Sequence, residues 1–376
     1  MIKLSVVHET TQSYSFELSH LTWINCSTVR EILESLYDID WRIFKLGYVL
    51  KPGEYLHDTE ESETLDSFTR RVCSMSVYGL FFDYATVISK DVKGSSVVCE
   101  QHGALNRYKD IRCLDHTRVP VPHSSGTHDY INASYVDGFR EEKKFILTQS
   151  PMENTVESFW AMIYQENVVE IVAVTSLYSA KTFLYVPLKR STTAVFGPYS
   201  ITFCGSQLIR DSYEASILKK GQFQLKKGDQ ERKILHICFY AWNDKGTPER
   251  PTEMLYLISD MNYNRMLFLE EAKKSGWLQS RSSPIVVHCS TGAGRSGTLA
   301  VLDICCRKMD YTEKLRRNVL VDVRDTVLRV RTQRDKAVTK PEQYLLLHLL
   351  VIEYALRQKY YDDVDFIDLS NYTSTT

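Results

Sequence analysis

Val287-His288-Cys289-Ser290-Thr291-Gly292-Ala293-Gly294-Arg295-Ser296-Gly297-Thr298 decides how this chain is read. An apolar strand, Ile285 to Val287, runs into a glycine-bearing loop, and the loop opens a helix that continues from Thr298 to Met309. Such a loop turns several backbone N–H groups into one small space, and the helix N-terminus adds partial positive charge there. The result is a cradle for an anion the size of phosphate, built from Ser290, Thr291, Gly292, Ala293 and Gly294. Cys289 starts the loop and shares that field, so its thiolate is favoured and its pKa is expected to fall below that of a free thiol. Arg295 stands at the other rim, where its planar fork can hold two oxygens of the same anion. Ser296 is placed to hydrogen-bond the sulfur. A structural cysteine beside a glycine turn would account for Cys289 alone. It would not account for His288, Gly292, Gly294, Arg295, Ser296 and Gly297 at this spacing.

The rest of the composition is that of an ordinary globular protein. The chain has 376 residues, 43% apolar and 25% charged, with a formal net charge of −1. That is enough for a large core, and the balance gives no reason to expect nucleic acid or an acidic membrane as a partner. No apolar stretch is long enough to span a bilayer; the best candidate, Tyr344 to Leu356, contains His348 and Glu353 and suits a buried helix. Met1-Ile2-Lys3-Leu4-Ser5 lacks the features of a signal peptide, so a cytoplasmic protein is expected. The nine cysteines are scattered and show no metal-ligand spacing. They read as reduced thiols, and no metal or cofactor is implied.

Strand and helix patterns alternate without a repeat. Ile201 to Phe203 and Ile234 to Phe239 read as strands, Ser158 to Glu166 as a helix, giving an α/β chain. Near the N-terminus, Ile2, Leu4 and Val6 alternate, as do Tyr14, Phe16 and Leu18, with a turn between. A helix is expected around Val29 to Tyr37, a strand over Arg42 to Leu46, and a turn at Lys51-Pro52-Gly53-Glu54. That order resembles a ubiquitin-like β-grasp domain over 1–72, a unit that could dock a protein partner; an irregular extension packed on the main domain is the other reading. The stretch 360–376, with four aspartates, reads as an acidic disordered tail.

Further motifs follow in a fixed order. They are Asn106-Arg107-Tyr108-Lys109-Asp110, Asp129-Tyr130-Ile131-Asn132-Ala133-Ser134-Tyr135, Thr148-Gln149-Ser150-Pro151, Asn154 to Trp160 and Thr252-Glu253-Met254-Leu255. With the cysteine loop, an H-C-x5-R-S-G pattern, they make Ser76 to Lys359 resemble the protein tyrosine phosphatase family. The resemblance implies a twisted mixed sheet flanked by helices and hydrolysis of phosphotyrosine in proteins through a phosphocysteine on Cys289. Ala241-Trp242-Asn243-Asp244-Lys245-Gly246-Thr247-Pro248 looks like the family's mobile acid loop, which makes Asp244 the proton donor to the leaving phenolate. Tyr108 would stack on the phosphotyrosine ring, Asp110 would hold the substrate backbone, Lys181 would lie near the acid loop and Gln343 would match the second of two family glutamines.

The chain also departs from the family pattern. Asn243 stands where the family has proline, and Thr339 where it has a glutamine that positions water. The glutamate that braces the loop arginine has no clear match. Two readings remain open: an active tyrosine phosphatase, and a slow or inactive module that holds phosphotyrosine proteins.

Overall fold

The computed structural model describes residues 2–6, 14–18, 62–90, 92–175, 183–210, 216–242, 247–248, 251–279, 283–316 and 318–372. β1 (Ile2–Val6) and β2 (Tyr14–Leu18) form the expected antiparallel hairpin, with Ile2 opposite Leu18 and Val6 opposite Tyr14. The helix, strand and turn expected between Val29 and Glu54 lie outside the described residues.

From Ser62 the chain is continuous with the main body. β3 (Glu63–Thr64) pairs with β12 (Leu320–Val321), and α1 (Leu65–Ser74) follows at once. Thr64 caps this helix by accepting from Ser67 N at 3.3 Å, and Leu65, Phe68, Thr69 and Val72 form its buried stripe. The boundary expected at residue 72 therefore falls inside a helix that belongs to the main core. α2 (Val77–Ile88) and the short α3 (Val97–Gln101) come next.

The centre is an eight-stranded mixed sheet in the order β4-β5-β11-β6-β10-β9-β8-β7. Its strands are β4 (Ala133–Gly138), β5 (Glu141–Gln149), β6 (Glu170–Ala173), β7 (Thr193–Phe196), β8 (Tyr199–Arg210), β9 (Ser216–Lys227), β10 (Gln230–Phe239) and β11 (Ile285–Cys289). β5, β11, β6 and β10 run parallel, and antiparallel strands extend the sheet on both sides. Where the parallel strands pair at the centre, 145–147, 171–173 and 285–287 are apolar because both faces are covered. α4 (Val156–Gln165) packs on one face with Phe159, Trp160 and Ile163. The other face carries α5 (Glu253–Lys274), α6 (Gly294–Arg316), α7 (Val323–Gln333) and α8 (Pro341–Arg357).

Strand alternation sorts β11 between these layers. Ile285, Val287 and Cys289 join the layer of α6 and α8, and Val286 joins that of α4. No helix among the described residues is long and apolar enough to cross a membrane.

The C-terminal stretch corrects the expectation of disorder. Ile367, Leu369 and Tyr372 are buried, Tyr372 Oη donates to the Val72 carbonyl at 2.8 Å, and Asn371 Nδ2 donates to that of Cys73 at 3.1 Å. The guanidinium of Arg70 lies 4.0 Å from the centroid of Phe366. Asp362, Asp363, Asp365 and Asp368 all face solvent. Composition showed the acids; spacing hid the apolar residues between them, which close over α1.

Candidate active site

β11 delivers Cys289 to the C-terminal edge of the parallel strands, and α6 starts five residues later at Gly294. This is the place where open α/β sheets bind ligands. The turn between them needs Gly292. Its φ is +67°, and a Cβ there would sit 2.2 Å from the backbone of Thr148. At Gly294 a Cβ would meet Thr339 Oγ1 at 2.3 Å. Glycine thus lets the loop close down on β5 and on the segment before α8.

The loop's carbonyls are drawn outward by one side chain. Arg334 is fully buried, and donates from Nε to the Gly292 carbonyl at 3.0 Å and from Nη2 to that of Thr291 at 3.1 Å. Its Nη1 reaches Ser134 Oγ at 3.2 Å. With these carbonyls held behind, Ala293 N donates within the loop, to Thr291 Oγ1 at 3.2 Å. Gly292 N donates to the Cys289 sulfur at 3.2 Å.

Cys289 is buried, which pushes its thiol up, yet the net shift is downward. The Ser296 hydroxyl and N–H oppose burial most strongly, followed by the Arg295 charge and the Thr291 hydroxyl, whose oxygen lies 3.8 Å from the sulfur. Ser296 Oγ itself meets no partner in strict hydrogen-bond geometry. Its dipole still acts on a thiolate at looser range, which suits a group waiting for sulfur to gain charge. Arg295 donates from Nη1 to the carbonyls of Val174 at 3.2 Å and Trp242 at 3.5 Å, so it is held by the end of β6 and by the base of the expected acid loop. Trp242 and Pro248, on either side of that stretch, are both buried. Asn243 and Asp244 lie outside the described residues, as does Lys181.

His288 points the other way. It is fully buried beneath α4, and its Nε2 lies 2.5 Å from Tyr185 Oη. The same oxygen is 2.6 Å from Nε2 of His236 on β10. Ala173 of β6 pairs with His288 on one side and Cys238 on the other, and its small side chain leaves room for the phenol. Burial keeps both imidazoles neutral, lowering His288 to about 3 and His236 to about 4. One phenolic proton cannot serve two lone pairs. Tyr185 therefore donates to one imidazole and accepts from the other. The chain runs His236, Tyr185, His288.

Tyr108 Oη is 2.8 Å from Ser290 Oγ, which puts this half-exposed ring at the wall of the loop. The flanking motifs now have physical roles. Asn106 Oδ1 accepts from Tyr130 Oη at 2.6 Å and from Asn132 Nδ2 at 2.9 Å. Arg107 N donates to Gln149 Oε1 at 2.9 Å, and the Arg107 guanidinium holds the Ser150 and Pro151 carbonyls. These bonds fix the height of Tyr108 above the cysteine. Asp110 is exposed and meets Lys336 Nζ at 3.1 Å. Gln343 is buried at the start of α8, and its Oε1 accepts from Lys340 N at 3.3 Å and Thr339 Oγ1 at 3.4 Å. Both Thr339 and Gln343 line the Gly294 side of the loop.

Comparison with known proteins agrees with this geometry. The Protein-tyrosine phosphatase family description matches residues 102–353. The chain belongs to the protein tyrosine phosphatase family. It is 31% identical over 308 residues to "Tyrosine-protein phosphatase non-receptor type 9" of Rattus norvegicus, covering 78% of this chain and 49% of that protein. It is 33% identical over 275 residues to "Tyrosine phosphatase H3" of Microplitis demolitor bracovirus, covering 67% of this chain and 80% of the viral protein. The chain thus spans about half the length of the type 9 relative. A solved structure titled "Structural basis of PTPN18 fingerprint on distinct HER2 tyrosine phosphorylation sites" shares the fold with a TM-score of 0.63 at 24% identity, over 77% of this chain and 98% of that one.

The structure brings Cys289, Ser290, Thr291, Gly292, Ala293, Gly294, Arg295, Ser296, Tyr108 and Gln343 to one place, with His288 behind the sheet edge. Sequence reasoning missed Tyr185, His236 and Arg334 as members of the site. Each is a lone residue of a common type, and only sheet register and the return of the chain after α7 reveal it.

Proposed function

We propose that this chain hydrolyses phosphotyrosine in proteins through a phosphocysteine on Cys289. The observation that carries the proposal is the buried Cys289 thiol, lowered in pKa despite burial and capped by Gly292 N–H, beneath a tyrosine wall. The thiolate attacks phosphorus, the S–P bond forms, and the P–O bond to the tyrosine oxygen breaks. The electron pair stays on that oxygen, and Asp244, two residues after the buried Trp242, gives it a proton. Arg295 and the loop N–H groups hold the phosphoryl oxygens. Water activated by Asp244 then breaks the S–P bond, and the thiolate leaves toward the Ser296 hydroxyl. Tyr108 makes the slot deep enough to favour phosphotyrosine over phosphoserine. The site works in the cytoplasm, where the eight described cysteines, all free, would stay reduced.

A second reading concerns rate. Thr339 Oγ1 is engaged with Gln343 Oε1 at the loop's edge, where the family carries a longer water-positioning side chain. Slow release of the phosphocysteine would make the protein a holder of phosphotyrosine chains. Phosphate release from a phosphotyrosyl peptide separates the two. Steady turnover abolished by Cys289→Ser supports the hydrolase; a single burst of one equivalent supports the slow holder; turnover that survives Cys289→Ser removes the mechanism. Residues 1–61, the part of the expected unit before the main body, are proposed as a protein-docking segment on the evidence of the β1–β2 hairpin, and a pull-down with and without them tests that role.

A further inference from the structure

A second cavity, of about 290 Å³, lies between the β9–β10 hairpin and the last turns of α5. Its size is at the lower end for a small-molecule site, roughly 300 Å³. Phe268, Ala272 and Trp277 supply an apolar floor, and the polar lining comes mainly from β9 and β10.

Most of the charge around it is already matched. Lys233 pairs with Glu271 at 2.5 Å across the gap between strand and helix. Glu231 takes Gln224 Nε2 at 2.5 Å and Lys226 Nζ at 3.4 Å. Arg232 is different. It is only 9% exposed, and its guanidinium lies between two rings, 3.6 Å from the Tyr164 centroid and 4.9 Å from that of Trp277. Nη1 donates to the Tyr164 carbonyl at 2.5 Å. Among the described residues no carboxylate pairs with it, and Nε is shielded from water without any acceptor. Nη2 is not sealed off as Nε is, has no acceptor among the described residues, and as a guanidinium N–H is a charge-assisted donor to a carboxylate. A buried cation normally has its counter-ion beside it. Arg232 instead lines a cavity whose carboxylates, Glu231 and Glu271, pair with Lys226 and Lys233.

We propose that this cavity is a binding site for a small organic carboxylate with an aromatic or aliphatic body. The carboxylate accepts from Nη2 of Arg232, and the body lies on Trp277 and Phe268. The site is separate from the Cys289 cradle and stands whether or not the phosphatase reading holds.

The full chain labelled with 5-fluorotryptophan tests this. Its five tryptophans give separate fluorine resonances, and Trp277→Phe identifies the one that matters. Phenylacetate and its uncharged analogue phenylacetamide are titrated in turn. The Trp277 resonance is expected to shift saturably with the acid, and the amide to bind at least tenfold more weakly. The Trp242 resonance, beside Arg295, is expected not to follow the same curve. Arg232→Gln is expected to bring acid and amide to equal affinity. A Trp277 resonance that does not move, or equal binding of acid and amide to the unaltered protein, overturns the proposal without any variant. So does an acid preference that survives in Arg232→Gln.

Discussion

Two buried guanidinium groups in this protein are held in opposite ways. Arg334 donates from each of its three nitrogens to the Cys289 loop or to Ser134. Arg232 spends one nitrogen on a carbonyl, has no acceptor for Nε or Nη2 among the described residues, and lines a cavity. A satisfied guanidinium fixes protein geometry; a half-satisfied one leaves a vacancy that a ligand's charge can complete. The histidine pair behind Cys289 is closer to the first kind, since both Nε2 atoms meet the Tyr185 hydroxyl.

The largest expected effect comes from breaking the satisfied member. Arg334→Met removes the donors from the Gly292 and Thr291 carbonyls, so loop N–H groups lose their aim. We expect kcat/KM on a phosphotyrosyl peptide to fall by about 100-fold. Thermal or urea unfolding is expected to show a loss of about 2–3 kcal/mol, because two carbonyls lose their buried partner. Arg334→Lys should not restore activity, since an ammonium cannot span three acceptors. Full activity in either variant would place the loop's order elsewhere.

Acid should strain the buried histidines next. His236 and His348 are lowered to about 4 and His288 to about 3, all by burial. Each folded value lies below that of the unfolded chain, about 6.5. The unfolded state therefore binds protons first, and stability present above pH 6.5 is lost as pH falls toward 4. Each histidine contributes at most about 1.4 kcal/mol per pH unit in that window. Urea midpoints measured from pH 7 to 4.5 check the slope, and His348→Gln is expected to flatten it. A stability curve that stays level over this range would contradict the assignment.

A smaller change is expected from His236→Phe, which leaves Tyr185 with one partner. The acid limb of kcat/KM should move to higher pH, lowering the rate at pH 6 by roughly three- to tenfold. His236→Gln supplies a side-chain N–H and should recover most of the loss. A role in packing alone would leave the limb where it is.

The smallest effect is expected at Arg232. Arg232→Gln removes a buried cation that has no carboxylate beside it, so the cost of the lost Tyr164 bond is offset by relief of desolvation. The thermal midpoint should stay within about 3 °C of the parent, or roughly 1 kcal/mol. A fall as large as that of Arg334→Met would show that the two guanidinium groups are not held differently after all.

The contrast also explains what the sequence could disclose. The Cys289 loop was legible because strand, glycines, arginine and helix start are contiguous. The wall was legible because Asn106 to Asp110 travels as one motif. Arg334 and His236 carry no such local frame. They reach Cys289 through β10 and through the turn after α7, and period-two alternation alone places His236 on the face of His288. The C-terminal stretch misled because its aspartates outnumber the three residues it buries. Asp244 rests on its frame between Trp242 and Pro248.

Capture of phosphate on the enzyme tests the central claim most directly. The full chain is mixed with a radiolabelled phosphotyrosyl peptide, quenched in acid within milliseconds, digested and sequenced by mass spectrometry. The account predicts label on the peptide that contains Cys289, absent in Cys289→Ser, with turnover abolished in the same variant. Phosphate release without a labelled cysteine, or label and turnover that persist in Cys289→Ser, would contradict it.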